Sequence, residues 1–468
     1  MLLIYNILKI LALITFFLPA FFIPYLNIAV FYVFSISLFF INLFFNKKFK
    51  NILYLLYKKT PFKYLIHFAV WIAISGAILV ILGRYQIGIY LFYFIWTVGI
   101  VFLLSYLFPI LTFKNNIKQL IKVLAFANLF TYIIGIIQFI GAKYSINLIN
   151  SSIHFFANGI YSNPLNEIVE NRMYGIFQEP GWFGFFIFIN LPFLIMLFKS
   201  KYKIINNSLV NFVLNKTLLP LAILCLIMTR SPIWLIFNSL LMFYFIRKTM
   251  NKKTFITVFI FIIITLICFS ITVHQYNFDN VIMRRISATL SSISSLQSLV
   301  QNEPSLASRV ISYYATYKVF CNNWLLGVGL GCTKYKIVSI LNSAHIPLTY
   351  ELQLNLLNAN TKGMKHAGAF LWSLLSETGI FGAFYFYYFV YKTIKFNDNL
   401  KKYLSGIEYE FSSAYTISII GFVCISCYDV GYTRIIAWFY LGIISIIYLN
   451  VYTKKKGIKL NNEDSKRL

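Results

Sequence analysis

The chain has 468 residues, of which 59% are hydrophobic and 19% aromatic, and only 12% are charged. Soluble domains carry roughly 45–50% apolar residues, so composition and a mean hydropathy of +0.74 exclude a water-soluble globular body. A net charge of +28 would suit a nucleic-acid binder, but the lysines flank apolar runs as the positive-inside bias requires, and no nucleic acid is expected as a partner.

The first apolar run begins almost at Met1 and passes through FFLPAFFIPYLN without an A-x-A cleavage signal, so it reads as a retained helix. No carboxylate precedes Glu167. Runs of the length needed to cross a ~30 Å hydrocarbon core lie near 4–23, 26–45, 64–83, 87–111, 120–142, 182–198, 214–229, 232–246, 254–273, 367–391, 409–427 and 434–451. The basic clusters fall at 46–63, 114–122, 199–203, 247–253, 392–402 and 454–459. Placing each of them in the cytoplasm gives a consistent parity, with about twelve helices and both termini cytoplasmic. The spans ending at Thr229 and starting after Pro232 form a tight hairpin through TRSP.

The expected fold class is all-α: a polytopic integral membrane protein with about twelve transmembrane helices. It is expected to form a single multipass domain over 1–468, with two long extracytoplasmic loops at 143–181 and 274–366. The second, larger loop contains LASRVISYYATYKVF (306–320), apolar at helical spacing, and then NNWLLGVGLG (322–331). These read as an amphipathic helix at the outer interface followed by a glycine turn. Cys225, Cys268, Cys424 and Cys427 sit in apolar runs as small core residues. Cys321 and Cys332 fall in the outer loop, where either a disulfide or two free thiols fits.

Ionisable groups at a bilayer edge are costly and need a reason. The outer face collects Arg172, Glu179, Arg230, Arg309, His366, Asp429 and Arg434, with Glu377 deeper, eleven residues after His366. Arg172 and Glu179 either bridge a loop to the helix that Pro180 starts, or supply an anion contact and a proton acceptor beside a helix N-terminus. Arg309 either snorkels to headgroups or binds phosphate bidentately. Arg230 and Arg434 fit headgroup anchors, and Arg434 could also pair with Asp429. His366 is an interfacial anchor or a general base. Glu377 is a buried carboxyl between helices or a supporting site residue. No metal-ligand spacing, phosphate loop, nucleophile elbow or dinucleotide fingerprint is present in the sequence.

Four stretches occur in order: RMYGIFQEPGWFGFF (172–186), LIMTRSPIWLIF (226–237), SRVISYYATYKVFCNNWLLGVGLG (308–331) and HAGAFLWSLLSETGIFG (366–382). Together they resemble the O-antigen polymerase and ligase superfamily of bacterial envelopes. The Arg–Gly–Phe–x–x–Pro pattern at 172–180 is similar to the polymerase (Wzy-type) branch, although Gly181 stands where members often have Asn.

The resemblance implies a glycosyltransferase of the bacterial cytoplasmic membrane that needs neither metal nor cofactor and builds O-antigen, capsule or exopolysaccharide. It would move a growing glycan from undecaprenyl pyrophosphate onto a newly flipped lipid-linked repeat unit. Arg172, Arg309 and Arg230 would bind pyrophosphate, Glu179 or His366 would act as base, and Gln178, Glu377 and Arg434 would support them. Undecaprenyl-pyrophosphate-linked oligosaccharides and membrane lipids are the implied partners, with a chain-length regulator and a flippase as further candidates. Two alternatives stay open: a ligase that transfers finished glycan to another acceptor, and a flippase or transporter of lipid-linked sugars.

Overall fold

The computed structural model describes residues 6–12, 22–23, 28–113, 116–144, 146, 173, 180–199, 203, 205–229, 237–239, 296–302, 304–343, 370–426 and 435–456. These residues are mostly helical, and a minimal antiparallel ladder pairs Phe22–Ile23 with Ile28–Ala29. Among the described residues, seven helices are long and apolar enough to cross a membrane, so the protein is polytopic. They correspond to the expected spans near 64–83, 87–111, 120–142, 182–198, 214–229, 409–427 and 434–451. The span expected near 26–45 appears as a shorter apolar helix, α1 (Val30–Phe45). Those near 232–246 and 254–273 lie outside the described residues, apart from 237–239.

The chain forms two compact units, Met1–Leu124 with Leu299–Leu468, and Ala125–Ser298. In the first unit, the basic cluster after α1 is itself a helix, α2 (Lys47–Lys59), capped by the Asn46 side chain, which accepts from Phe49 N. Its apolar face buries Phe49 and Leu56 while Lys48, Lys50, Lys58 and Lys59 are exposed. Next come α3 (Phe62–Ile81) and α4 (Ile87–Phe113). Over Phe94–Leu104, α4 is wound in the wider π form, which apolar periodicity does not foretell.

The span expected at 367–391 is corrected. It is the first two-thirds of a longer helix, α11 (Phe370–Lys401), broken at Gly379. It is not among the seven apolar spans, because Glu377, serines and tyrosines dilute its hydropathy. After α11 follow α12 (Gly406–Ser426) and α13 (Ile435–Lys456).

The core of this unit lies where α4, α11 and α13 meet. Phe102 stacks on Trp438 with ring centroids 4.0 Å apart, and Phe386 meets Trp438 at 5.5 Å. Gly442 lets α13 approach the α4 backbone at Tyr106, where any Cβ would overlap the Tyr106 carbonyl. Ser445 Oγ then donates to Tyr106 Oη at 3.0 Å. Where α11 and α12 pack, Asn397 donates to Ser412 O and to Thr416 Oγ1, and accepts from Ser412 Oγ, so a buried amide is satisfied on both sides.

The second unit holds most of α5 (Ile117–Lys143), then α6 (Pro180–Lys199) and α7 (Ser208–Met228). α7 starts six residues before the expected Leu214 because Asn207 caps it, accepting from Val210 N at 3.1 Å. Inside this unit, Asn128 donates to Asn190 Oδ1 at 3.1 Å and accepts from Tyr132 Oη at 2.8 Å. Replacing Asn128 by alanine removes both bonds. We expect a loss of about 1–2 kcal/mol, read as a lower thermal midpoint of the purified protein.

Candidate functional site

Two anchored segments carry the residues singled out by sequence. The first lies in the second unit. Met173 is fully buried and its N–H donates to Met228 O at 3.0 Å. Gly135 of α5 leaves room for Met173 and Phe183, since a Cβ there would stand 3.1 Å from Met173 Sδ. Met173 directly follows Arg172, and Met228 precedes Arg230 by two positions. The bond therefore ties the chain next to one arginine to the chain next to the other. Arg172, Gln178, Glu179 and Arg230 themselves lie outside the described residues. Pro180 opens α6, where its missing N–H costs nothing.

The second segment belongs to the first unit and follows α8 (Leu296–Asn302). α9 (Pro304–Asn322) is the expected amphipathic helix. Ala307, Ile311, Ala315 and Val319 recur every fourth residue and are all buried, whereas Val310, Tyr314 and Tyr317 are exposed. Arg309 sits half-buried on the flank between these faces. α9 does not simply lie on an interface: its inner face packs against α11 and against α10 (Thr333–Ser343).

The glycine turn between α9 and α10 closes onto the break in α11. Gly379, at φ 69°, interrupts the ladder there and leaves neighbouring backbone groups in need of partners. The turn supplies them: Val328 N donates to Ser376 O at 2.8 Å, Gly329 N to Glu377 O at 3.0 Å, and Ile380 N to Trp324 O at 2.9 Å. Trp71 Nε1 of α3 donates to Thr378 O at 3.0 Å, and Thr333 Oγ1 and Ser376 Oγ share a hydrogen bond of 2.8 Å. Gly327 and Gly329 have φ of 74° and 92°. A Cβ on Gly327 would overlap the Glu377 backbone, and one on Gly329 would lie 2.6 Å from the Tyr85 ring.

Tyr85, in the connection between α3 and α4, donates its hydroxyl to Leu330 O. Burial raises its phenol above the ordinary value, and the nearby Cys332 thiol and Glu377 carboxyl add to the rise. Glu377 is 2% exposed. It lines, with Phe68, Ile72, Phe102 and Leu330, a cleft too tight to admit even a water molecule. No sugar fits there. Glu377 is thus a carboxyl buried between helices.

Arg309 and Glu377 are not brought together. Tyr317 meets Trp372 with centroids 5.8 Å apart, and Trp324 O meets Ile380 N further along, so α9 and the first part of α11 run parallel. Arg309 lies eight residues before Tyr317 and Glu377 five after Trp372, which separates them by about 20 Å of helix. His366 and Arg434 lie outside the described residues. Cys321 and Cys332 are not joined by a disulfide, and Cys424, expected in the core, is exposed on α12. Among the described residues no three of His, Cys, Asp and Glu gather closely enough to hold a metal ion. Sequence reasoning did not find the roles of Trp71, Tyr85 and Gly379; a glycine two residues after a carboxylate inside an apparent span was the available signal.

The long apolar helices make this an integral membrane protein. Residues 217–387 match the family model described as O-antigen ligase, and over that segment the chain is similar to the O-antigen polymerase and ligase superfamily. No curated protein matches the chain. The matched segment contains Arg230, Arg309, His366 and Glu377 and begins after Arg172, Gln178 and Glu179.

Proposed function

We propose that the protein polymerises undecaprenyl-pyrophosphate-linked repeat units into a surface polysaccharide at the outer face of the bacterial cytoplasmic membrane. The family match over 217–387, which takes in the arginine-bearing helix α9 and the break in α11, supports a transferase of lipid-linked glycans, and the likeness of the 172–180 pattern to the polymerase branch favours polymerisation. A hydroxyl of the incoming lipid-linked repeat attacks the anomeric carbon of the growing glycan. A glycosidic C–O bond forms, the C–O bond to the pyrophosphate breaks, and undecaprenyl pyrophosphate leaves with the electron pair. The hydroxyl proton passes to Glu179 or His366. Charge develops on the leaving group where water is partly excluded, so guanidinium groups stabilise the transition state more than the ground state.

Arg172, Arg309 and Arg230 take that role, with Gln178, Glu377 and Arg434 in support. The bond between Met173 and Met228 supports the pairing of Arg172 with Arg230, because it holds their adjoining backbones together. The loops 143–181 and 274–366 face outward in this reading, and a chain-length regulator and a flippase act beside it. Membranes supplied with lipid-linked repeat units test the proposal: a ladder of rising length is expected. Transfer of one glycan to another acceptor would favour the ligase reading instead, which the match to the O-antigen ligase family also supports.

Orientation is tested separately. Cys321 is exposed on α9. In a variant keeping it as the sole cysteine, a membrane-impermeant maleimide added to intact spheroplasts is expected to label it fully. Labelling only after lysis would place α9 on the cytoplasmic side and reverse the topology.

A further inference from the structure

A second site is built where the Phe62 end of α3 meets the Tyr388–Lys392 stretch of α11. The two helices run antiparallel here: Trp71 meets Phe381 at 5.3 Å, and two turns on Tyr64 meets Tyr388 edge-on at 5.1 Å. Lys392 Nζ stands 4.9 Å from the Tyr388 centroid and 5.9 Å from those of Tyr64 and Tyr391. Lys63 Nζ stands 5.0 Å from the same Tyr64 ring. Two ammonium groups thus share one tyrosine. Among the described residues neither has a carboxylate partner, although Lys401 and Lys454 hold Asp398 and Glu408. Two uncompensated cations held by aromatic faces are partly preorganised and await an anion.

The surroundings say which anion. Lys63 is the second residue of a membrane-spanning helix, so the pair sits at a bilayer boundary, where tyrosines are at home. An exposed apolar ridge leads from it along α11: Phe384 stacks on Tyr388 at 5.8 Å, and Phe381 follows one turn further. From Lys392 to Phe381 is eleven residues, about 16 Å of helix, which matches one leaflet of a ~30 Å core. A free phosphate would use the lysines and leave the ridge without a role. A zwitterionic headgroup would bring its own cation against them.

We propose that Lys63 and Lys392 bind the phosphate of an anionic glycerophospholipid whose acyl chain lies along Phe384 and Phe381. Tyr64 and Tyr388 orient the lysines and offer hydroxyls to the headgroup. Basic pockets between transmembrane helices select such lipids over neutral ones. The site is independent of the glycan chemistry.

Native mass spectrometry of the full-length protein, released from nanodiscs of phosphatidylcholine doped with phosphatidylglycerol, tests this. The wild type is expected to retain phosphatidylglycerol selectively. The Lys63→Gln/Lys392→Gln protein should retain it about thirtyfold less, while Lys58→Gln/Lys59→Gln on α2 behaves as wild type. Should the double variant not fold, the single variants are read the same way, and Lys392→Arg should restore retention. Unchanged retention in the glutamine variants, equal retention of phosphatidylcholine, or displacement of the lipid by inorganic phosphate would each overturn the proposal. So would preferential retention of an added polyprenyl phosphate by the wild type.

Discussion

Replacing Arg309 by alanine should stop chain growth almost completely while leaving the protein folded. Removing one preorganised donor from a developing oxyanion typically lowers the rate by about 10²–10³, and a guanidinium acting on pyrophosphate carries full charge as well as hydrogen bonds. Arg309 lies half-buried on the flank of α9, beside the buried alanine and isoleucine face that fixes the helix. Its side chain is thus oriented by packing without being part of the core. Arg309→Lys keeps the charge and loses the planar fork, so partial recovery is expected. The measurement is the ladder of products formed by membranes given lipid-linked repeat units, with the thermal midpoint as control. A snorkelling arginine gives the opposite pattern: the ladder survives in Arg309→Ala, since headgroup anchoring does not touch the reacting atoms.

The sequence made α9 legible because its pattern is local. Ala307, Ile311, Ala315 and Val319 repeat at the helical period, and the three glycines after Trp324 announce a turn. Those glycines do adopt positive φ. What the turn does is not local. Its partners are Ser376 and Glu377, some fifty residues later, and the indole that completes the arrangement stands 307 residues from its acceptor. The apolar residues on either side make SLLSETGIFG read as the interior of a span, and an isolated glycine does not by itself announce a break. The break is visible only in three dimensions, where the carbonyls it frees find donors. The same holds for Met173 and Met228: neither residue type signals a backbone bond, yet that bond gives the 172–180 motif a fixed point in the fold.

Depth adds a constraint that composition could not supply. Trp71 is the midpoint of α3, ten residues or about 15 Å from Ile81. Its bond to Thr378 O therefore sets the break in α11 within the length of α3, and the glycine turn closed upon it extends to Tyr85, just beyond the end of α3. Irregular backbone is tolerated at such depth only when every polar group is satisfied by protein. The bonds from Val328, Gly329, Trp71 and Ile380 meet that requirement. The α9–α10 turn is thereby locked onto α11 by backbone bonds, which explains how an arginine helix can be held rigidly beside a bundle.

Gly327→Ala is accordingly expected to be among the most damaging single substitutions in the chain. An L-residue in the left-handed region costs about 1–2 kcal/mol, and Gly327 has φ 74°. The added methyl meets the backbone of Glu377 rather than a movable side chain, so relief requires the turn to lift off α11, and overpacking of this kind costs about 1–3 kcal/mol. Lifting the turn also exposes the Ser376 and Glu377 carbonyls inside the bundle, where no water replaces Val328 and Gly329. Two effects should appear together: a fall in the thermal midpoint in detergent, and loss of the product ladder in membranes even where protein remains. Trp71→Phe removes only the donor to Thr378 O, at about 1–3 kcal/mol, and should lower the midpoint with a smaller loss of activity. If Gly327→Ala melted like wild type and still built full ladders, the turn would not be what holds α9 in place, and the position of Arg309 would need another explanation.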